Sequence, residues 1–101
     1  MSTDAITENT SKTTDKLRLP KRYKVVVLND SVTPAEFVIA LLMSIFKHAQ
    51  QAAMELTMKI HNEGSAVVGI YNYEIAEQKT SEATTMARSN GFPLSIKYEA
   101  E

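Results

Sequence analysis

The 101-residue chain has no cysteine. That excludes a disulfide framework, a thiolate nucleophile and cysteine-based zinc or iron–sulfur sites, and a reducing, cytoplasmic setting is the simplest context. Only three glycines are present, too few for a phosphate-cradling loop, and the Gly-x-x-x-x-Gly-Lys, Gly-x-Ser-x-Gly and His-Glu-x-x-His patterns are all missing. Charge of one sign is lacking as well: eleven basic against twelve acidic residues leave a formal net charge of -1, no strong field for nucleic acid or anionic lipid. No apolar run reaches the length of a membrane span, and the first eight residues, Met1 to Glu8, carry early acids and no secretory-type core.

What is present is the composition of a small globule, 44% hydrophobic and 23% charged, enough for one core and one domain. Met1 to Lys16 is rich in Thr, Ser, Asp, Glu and Lys with few large apolar side chains, and reads as a tail that cannot offset its own ordering entropy. Leu17 to Arg22, broken by Pro20, reads as a hinge, so the chain divides into a flexible extension over 1–20 and a core over 21–101.

Tyr23 to Leu28 is β-branched and nearly all apolar, the pattern of a covered strand ended by Asn29 and Asp30. Thr33-Pro34-Ala35-Glu36 then predicts a helix start, with Thr33 as N-cap, Pro34 at the first helical position and Glu36 completing a capping box. Phe37, Val38, Leu41, Leu42, Ile45 and Phe46 form one stripe at helical spacing. A second helix over about Gln50 to Asn62 places Ala53, Leu56 and Ile60 inward and ends at Gly64. Ser65 to Tyr71 is a second strand. Asn72 caps a third helix with Ile75, Ala76, Ala83 and Met86 or Ala87 inward, stopping at Asn90-Gly91, and Phe92 to Tyr98 is the last strand. The order β-α-α-β-α-β predicts an α+β domain, a small three-stranded sheet with three helices packed on one face.

Read singly, the polar candidates are weak. Asn29-Asp30-Ser31 is ordinary turn chemistry, although a strand-to-helix junction is also where polar groups surround a cleft. His61, at a helix end, suits the negative end of the dipole, and Glu74 and Glu77, in the opening turns of a helix, suit the positive end. His48 and His61, thirteen residues apart on different elements, are a poor two-histidine metal site.

Taken together, several motifs in order resemble the ClpS family of adaptors for the Clp protease: Tyr23-Lys24-Val25, Leu28-Asn29-Asp30, Thr33-Pro34-x-Glu36-Phe37-Val38, Ile60-His61-x-x-Gly64, Ala66 to Gly69, Glu74-x-Ala76-Glu77-x-Lys79 and Pro93-Leu94. The similarity covers roughly Arg22 to Glu99. It implies a cofactor-free, non-enzymatic, cytoplasmic domain that binds N-degrons, typically proteins with Leu, Phe, Tyr or Trp in first position, and passes them to an AAA+ unfoldase. The resemblance assigns the substrate's α-amino group to Asn29, Asp30, Ser31 and His61, and an apolar pocket to Thr33, Ala35, Val38, Thr57, Ile60 and Leu94. It turns Glu74, Glu77 and Lys79 toward the N-terminal domain of a ClpA- or ClpC-like unfoldase, and gives the tail a part in delivery.

Three positions depart from the family pattern: Ser31 stands where an aspartate is usual, and Ala35 and Thr57 where methionines are usual. Loss of the charge weakens amine recognition unless Asp30 or Glu36 compensates, Ala35 widens the mouth, and Thr57 makes the wall more polar. The expectation is an altered or broader set of first residues, β-branched Ile and Val included. The alternatives are a divergent modulator or decoy that docks on the unfoldase without carrying substrate, and an unrelated small α/β enzyme or nucleic-acid module sharing the element order.

Overall fold

The computed structural model describes residues 21–101; the expected tail over 1–20 lies outside them. Strand β1 (Tyr23–Leu28) leads through a short loop to helix α1 (Ala35–Ser44), followed by α2 (Gln50–Glu63), β2 (Ser65–Tyr71), α3 (Tyr73–Ser89) and β3 (Ser95–Ala100). The sheet order is β2-β1-β3, antiparallel throughout, so the first strand in sequence is the central one. That position explains its unbroken apolar run: Val25 and Val27 are fully buried against the helices, and even outward-facing Val26 is covered. Val27 pairs with Ala66 on one side and Ile96 on the other, a buried row beneath Val38, Leu41 and Leu42.

Between Val25 and Val26 the β1–β2 register slips, Val25 facing Gly69 and Val26 facing Val67, which leaves Val68 as the extra residue of a bulge. His48 Nε2 lies 2.6 Å from the Val68 carbonyl. Because a carbonyl only accepts, Nε2 carries the proton in this contact.

The third helix starts as its sequence predicts, with the Asn72 side chain accepting from Ile75 N at 2.9 Å. Its buried face is Ala76, Ala83 and Ala87, small side chains that let it lie close on the sheet; Ile75 instead points outward. Gly64 ends α2 in the left-handed conformation, φ 94°.

Two local expectations fail for physical reasons. The Thr33 capping box does not form: Pro34 takes the cap position with no side-chain bond, because the Thr33 hydroxyl donates to the Asp30 carboxylate instead, at 2.8 Å to Oδ2. The last strand begins at Ser95 rather than Phe92, because the Arg88 guanidinium takes the carbonyls of Phe92 (3.0 Å) and Leu94 (2.8 Å), which removes those acceptors from any ladder.

Candidate functional site

The segment Asn29 to Pro34 leaves the central strand where α2 ends. The Asn29 N–H donates to the Gly64 carbonyl at 2.8 Å, so Asn29 is fixed beside the last turn of α2, the turn that carries His61. Helices α1 and α2, joined by residues 45–49, pack as an antiparallel hairpin, which sets the start of α1 opposite the end of α2.

Between them opens a cavity of about 800 Å³ lined by Asn29, Asp30, Ser31, Thr33, Ala35, Val38, Ile39, Met54, Thr57, Met58, Ile60 and His61. Every residue expected at the amine site therefore shares one cavity with five of the six expected at the pocket. Leu94 does not. It is 1% exposed, packed in the core beneath the sheet's end, and forms no part of the lining.

The polar end is organised by Asp30. Its Oδ1 accepts from the N–H groups of Val32 and Thr33, both at 2.8 Å, while Oδ2 accepts from the Thr33 hydroxyl and keeps acceptor capacity in reserve. Partial burial pushes this carboxyl up, but the bonds from Thr33 and Val32, with the Arg88 charge nearby, outweigh it and hold the group below its ordinary value. Asp30 is thus ionised at neutral pH and is the one carboxylate in the lining. Glu36, the other compensating acid considered for Ser31, is exposed on α1 and outside the lining.

The apolar part has a floor and a rim. Val38, Thr57 and Ile60 are buried beneath it. Thr57 proves less polar than its side chain suggests, because its hydroxyl donates back to the Ala53 carbonyl at 2.8 Å and is already satisfied. The rim is Ile39, Met54 and Met58, the last two 46% and 62% exposed, none of which the sequence reading singled out. The signal was available: Met54 and Met58 stand four apart on α2, off its inward stripe, and Met54 is one helical turn from Thr57 as Met58 is from His61.

Outside the cavity lining, Glu74 and Glu77 are exposed in the opening turns of α3. Lys79 is not free in the same sense. Its ammonium donates to the Ile45 carbonyl at the end of α1, 2.8 Å away, and sits 5.7 Å from the centroid of the Tyr71 ring. Tyr71 in turn folds over Gly69, where any side chain would overlap its phenol.

Among the described residues no group of three or more His, Asp or Glu side chains is placed to share a metal ion, and no helix is long and apolar enough to cross a membrane. A second hollow of about 330 Å³ lies on the outer face of the sheet among Lys24, Val26, Leu28, Lys59, Ser65, Ala66, Val67, Lys97 and Glu99, with charged walls and no lining residue in common with the first.

Comparison with known proteins agrees with this architecture. Residues 18–97 match the family described as ATP-dependent Clp protease adaptor protein ClpS. The ClpS adapter of Treponema denticola is 46% identical over 85 residues, 84% of each chain, and that of Nautilia profundicola 42% identical over 99 residues, 98% of each. The structure of Agrobacterium tumefaciens ClpS2 bound to L-phenylalaninamide superimposes with a TM-score of 0.80 at 42% identity, covering 82% of this chain and all of that one. With the family match spanning most of its length, and with the sheet, helix order and junction loop in place, the chain belongs to the ClpS family of adaptors of the ATP-dependent Clp protease.

Proposed function

We propose that the protein captures N-degron substrates by their free α-amino group and apolar first side chain, and hands them to a Clp AAA+ unfoldase. The observation that carries this reading is the union, in one 800 Å³ cavity, of convergent acceptors at one end and a buried apolar floor beside them. An ammonium group has three donors to place; the Asn29 carbonyl, a neutral His61 ring nitrogen and the Ser31 hydroxyl supply acceptors without charge, and Asp30 supplies the negative charge. The first side chain then lies on Val38, Thr57 and Ile60, where burial of a Leu or Phe is worth about 1.5 to 3 kcal/mol before ordering costs. The ligand of the Agrobacterium relative, phenylalaninamide, presents the same two features, a free amine and an apolar side chain.

The small Ala35 side chain is exposed in the lining, and in the floor the satisfied Thr57 hydroxyl costs the pocket little apolar character. The reading therefore includes acceptance of Ile and Val beside Leu, Phe, Tyr and Trp. Glu74 and Glu77, with the remaining ammonium hydrogens of Lys79, form the face offered to the N-terminal domain of a ClpA- or ClpC-like unfoldase. No bond is made or broken by the adaptor itself.

Fluorescence anisotropy with peptides that differ only in residue one, each free and N-acetylated, tests the proposal. Binding of the free Leu, Phe, Ile and Val forms, lost on acetylation, is expected. Unfoldase binding with no peptide binding would replace the carrier by a modulator.

A further inference from the structure

We infer that the outer edge of β3 pairs with β3 of a second copy of this chain, antiparallel about Tyr98, so that the three strands of each copy join in one continuous sheet.

In an antiparallel ladder each residue turns its N–H and C=O together to one side of the strand, and successive residues alternate. The Glu101 N–H donates to the Arg22 carbonyl at 2.9 Å, just past the paired ends of β3 and β1. Counting in twos from that bond, Ser95, Lys97 and Glu99 turn their backbone groups toward β1, and Ile96, Tyr98 and Ala100 turn theirs away. The bond from Asn29 N–H to the Gly64 carbonyl gives the same parity from the other side of β1: it assigns the odd-numbered residues of that strand to β2 and leaves Lys24, Val26 and Leu28 for β3. Because β3 has a single neighbour in the sheet, the backbone groups of Ile96, Tyr98 and Ala100 face outward, and nothing among the described residues bonds to them.

The two edges of the sheet differ. β2 carries the bulge at Val68, whose carbonyl is taken by His48 at 2.6 Å, and both features spoil it as a template for a further strand. β3 has neither. It holds one unbroken register with β1 from Ser95 to Ala100, and a regular strand with open bonding groups is what strand addition requires.

Side-chain pairing selects the occupant. In a pair of identical strands centred on Tyr98, Tyr98 faces Tyr98 and Ile96 faces Ala100, so every outward backbone group of both copies is bonded. The same register sets Lys97 of each copy directly opposite Glu99 of the other, on the exposed face of the sheet. Moving the centre by one residue brings Lys97 against Lys97 or Glu99 against Glu99, and leaves outward groups unbonded. Like charges directly opposite destabilise a ladder, so this edge admits one register with itself. Lys24 already stands 3.6 Å from Glu99 on the β1 side, so each Glu99 ends between ammonium groups of both copies.

The two-fold axis of such a pair is perpendicular to the sheet, which keeps the helices of both copies on one face. No β3 residue lines the cavity between α1 and α2, and α2 packs on β2 at the far side of the sheet. Both cavities therefore stay open, and the pair presents two of them from one body.

One pair of short strands is a small interface, which sets the dissociation constant on the order of 100 µM. Amide hydrogen exchange followed by NMR on the full chain, at about 20 µM and at about 1 mM, reads the edge directly. The amides of Ile96, Tyr98 and Ala100 are expected to exchange about fourfold slower at the higher concentration, the fall in free monomer that this constant gives, with those of β2 unchanged. Lys97→Glu and Glu99→Lys, each checked by its thermal unfolding midpoint, are expected to lose the effect, because each sets like charges across the pair. An equimolar mixture of the two variants recovers it, since every charge then faces its opposite. Exchange at these amides that does not change with concentration overturns the inference; if it is slow at both, another part of the same chain covers the edge. Self-association that both single variants retain places the contact elsewhere and overturns it too. Loss in both variants with no recovery in the mixture overturns the register.

Discussion

The N–H of Asn29 donates to the carbonyl of Gly64 at 2.8 Å, one bond joining the exit of the central strand to the end of the second helix. Both sides of the cavity's polar end depend on it, because Asn29 belongs to the loop and His61 to the helix turn that Gly64 closes. Gly64 reaches this place with φ 94°, a conformation that costs other residues about 1 to 2 kcal/mol. Nothing crowds its missing side chain, so the cost of a substitution is backbone strain alone.

Gly64→Ala is accordingly expected to lower stability by about 1 kcal/mol and to weaken peptide binding by shifting His61 against Asn29. Chemical denaturation and anisotropy on the same variant check both. Binding unchanged at reduced stability would uncouple the two residues.

Asp30 makes stability depend on acid. Its folded-state value lies below that of the unfolded chain, so its contribution is complete above the ordinary carboxylate value near 3.8 and is lost as pH falls through the folded value. Asp30→Asn keeps an acceptor but not the charge. Its denaturation midpoint is expected to fall by the equivalent of about 1 kcal/mol at pH 7, and the gap between variant and parent to close as pH drops below about 4. Parallel urea titrations from pH 7 down to 3 check the convergence.

Lys79 holds the carboxyl end of α1 through Ile45 and rests on Tyr71, whose phenol burial pushes above its ordinary value and so keeps neutral. Lys79→Met is expected to cost about 1 kcal/mol through the loss of the Ile45 bond. Gly69→Ala displaces Tyr71 and removes the other half of the same contact. The two substitutions touch one network, and a double-mutant cycle is expected to show coupling of at least about 0.5 kcal/mol. Strict additivity would separate Lys79 from the Tyr71 ring.

How much of this was legible in the sequence varies with what each residue answers to. β1 runs from Tyr23 to Leu28 as read, because a β-branched run at the centre of a sheet has one stable reading. Gly64 and Asn72 act as read, since their roles are set within a turn. Thr33 failed because two local motifs compete for one hydroxyl, and the sequence does not say that Asp30 outbids the helix. Phe92 to Leu94 failed because Arg88, from the end of α3, takes their carbonyls. At the site, resemblance pointed to Asn29, His61, Val38, Thr57 and Ile60, which the structure gathers around one cavity, whereas Leu94 packs in the core; Met54 and Met58 carried a spacing signal on α2 that acquires meaning only with α1 and Ile39 across from them.

The most direct test of the central claim is a crystal structure of the full chain with phenylalaninamide or a Leu-initiated peptide. The account predicts the ligand's amine between Asn29 and His61, with the first side chain on Val38, Thr57 and Ile60. A ligand seated on the charged outer face of the sheet, or one whose amine points to solvent, would contradict it.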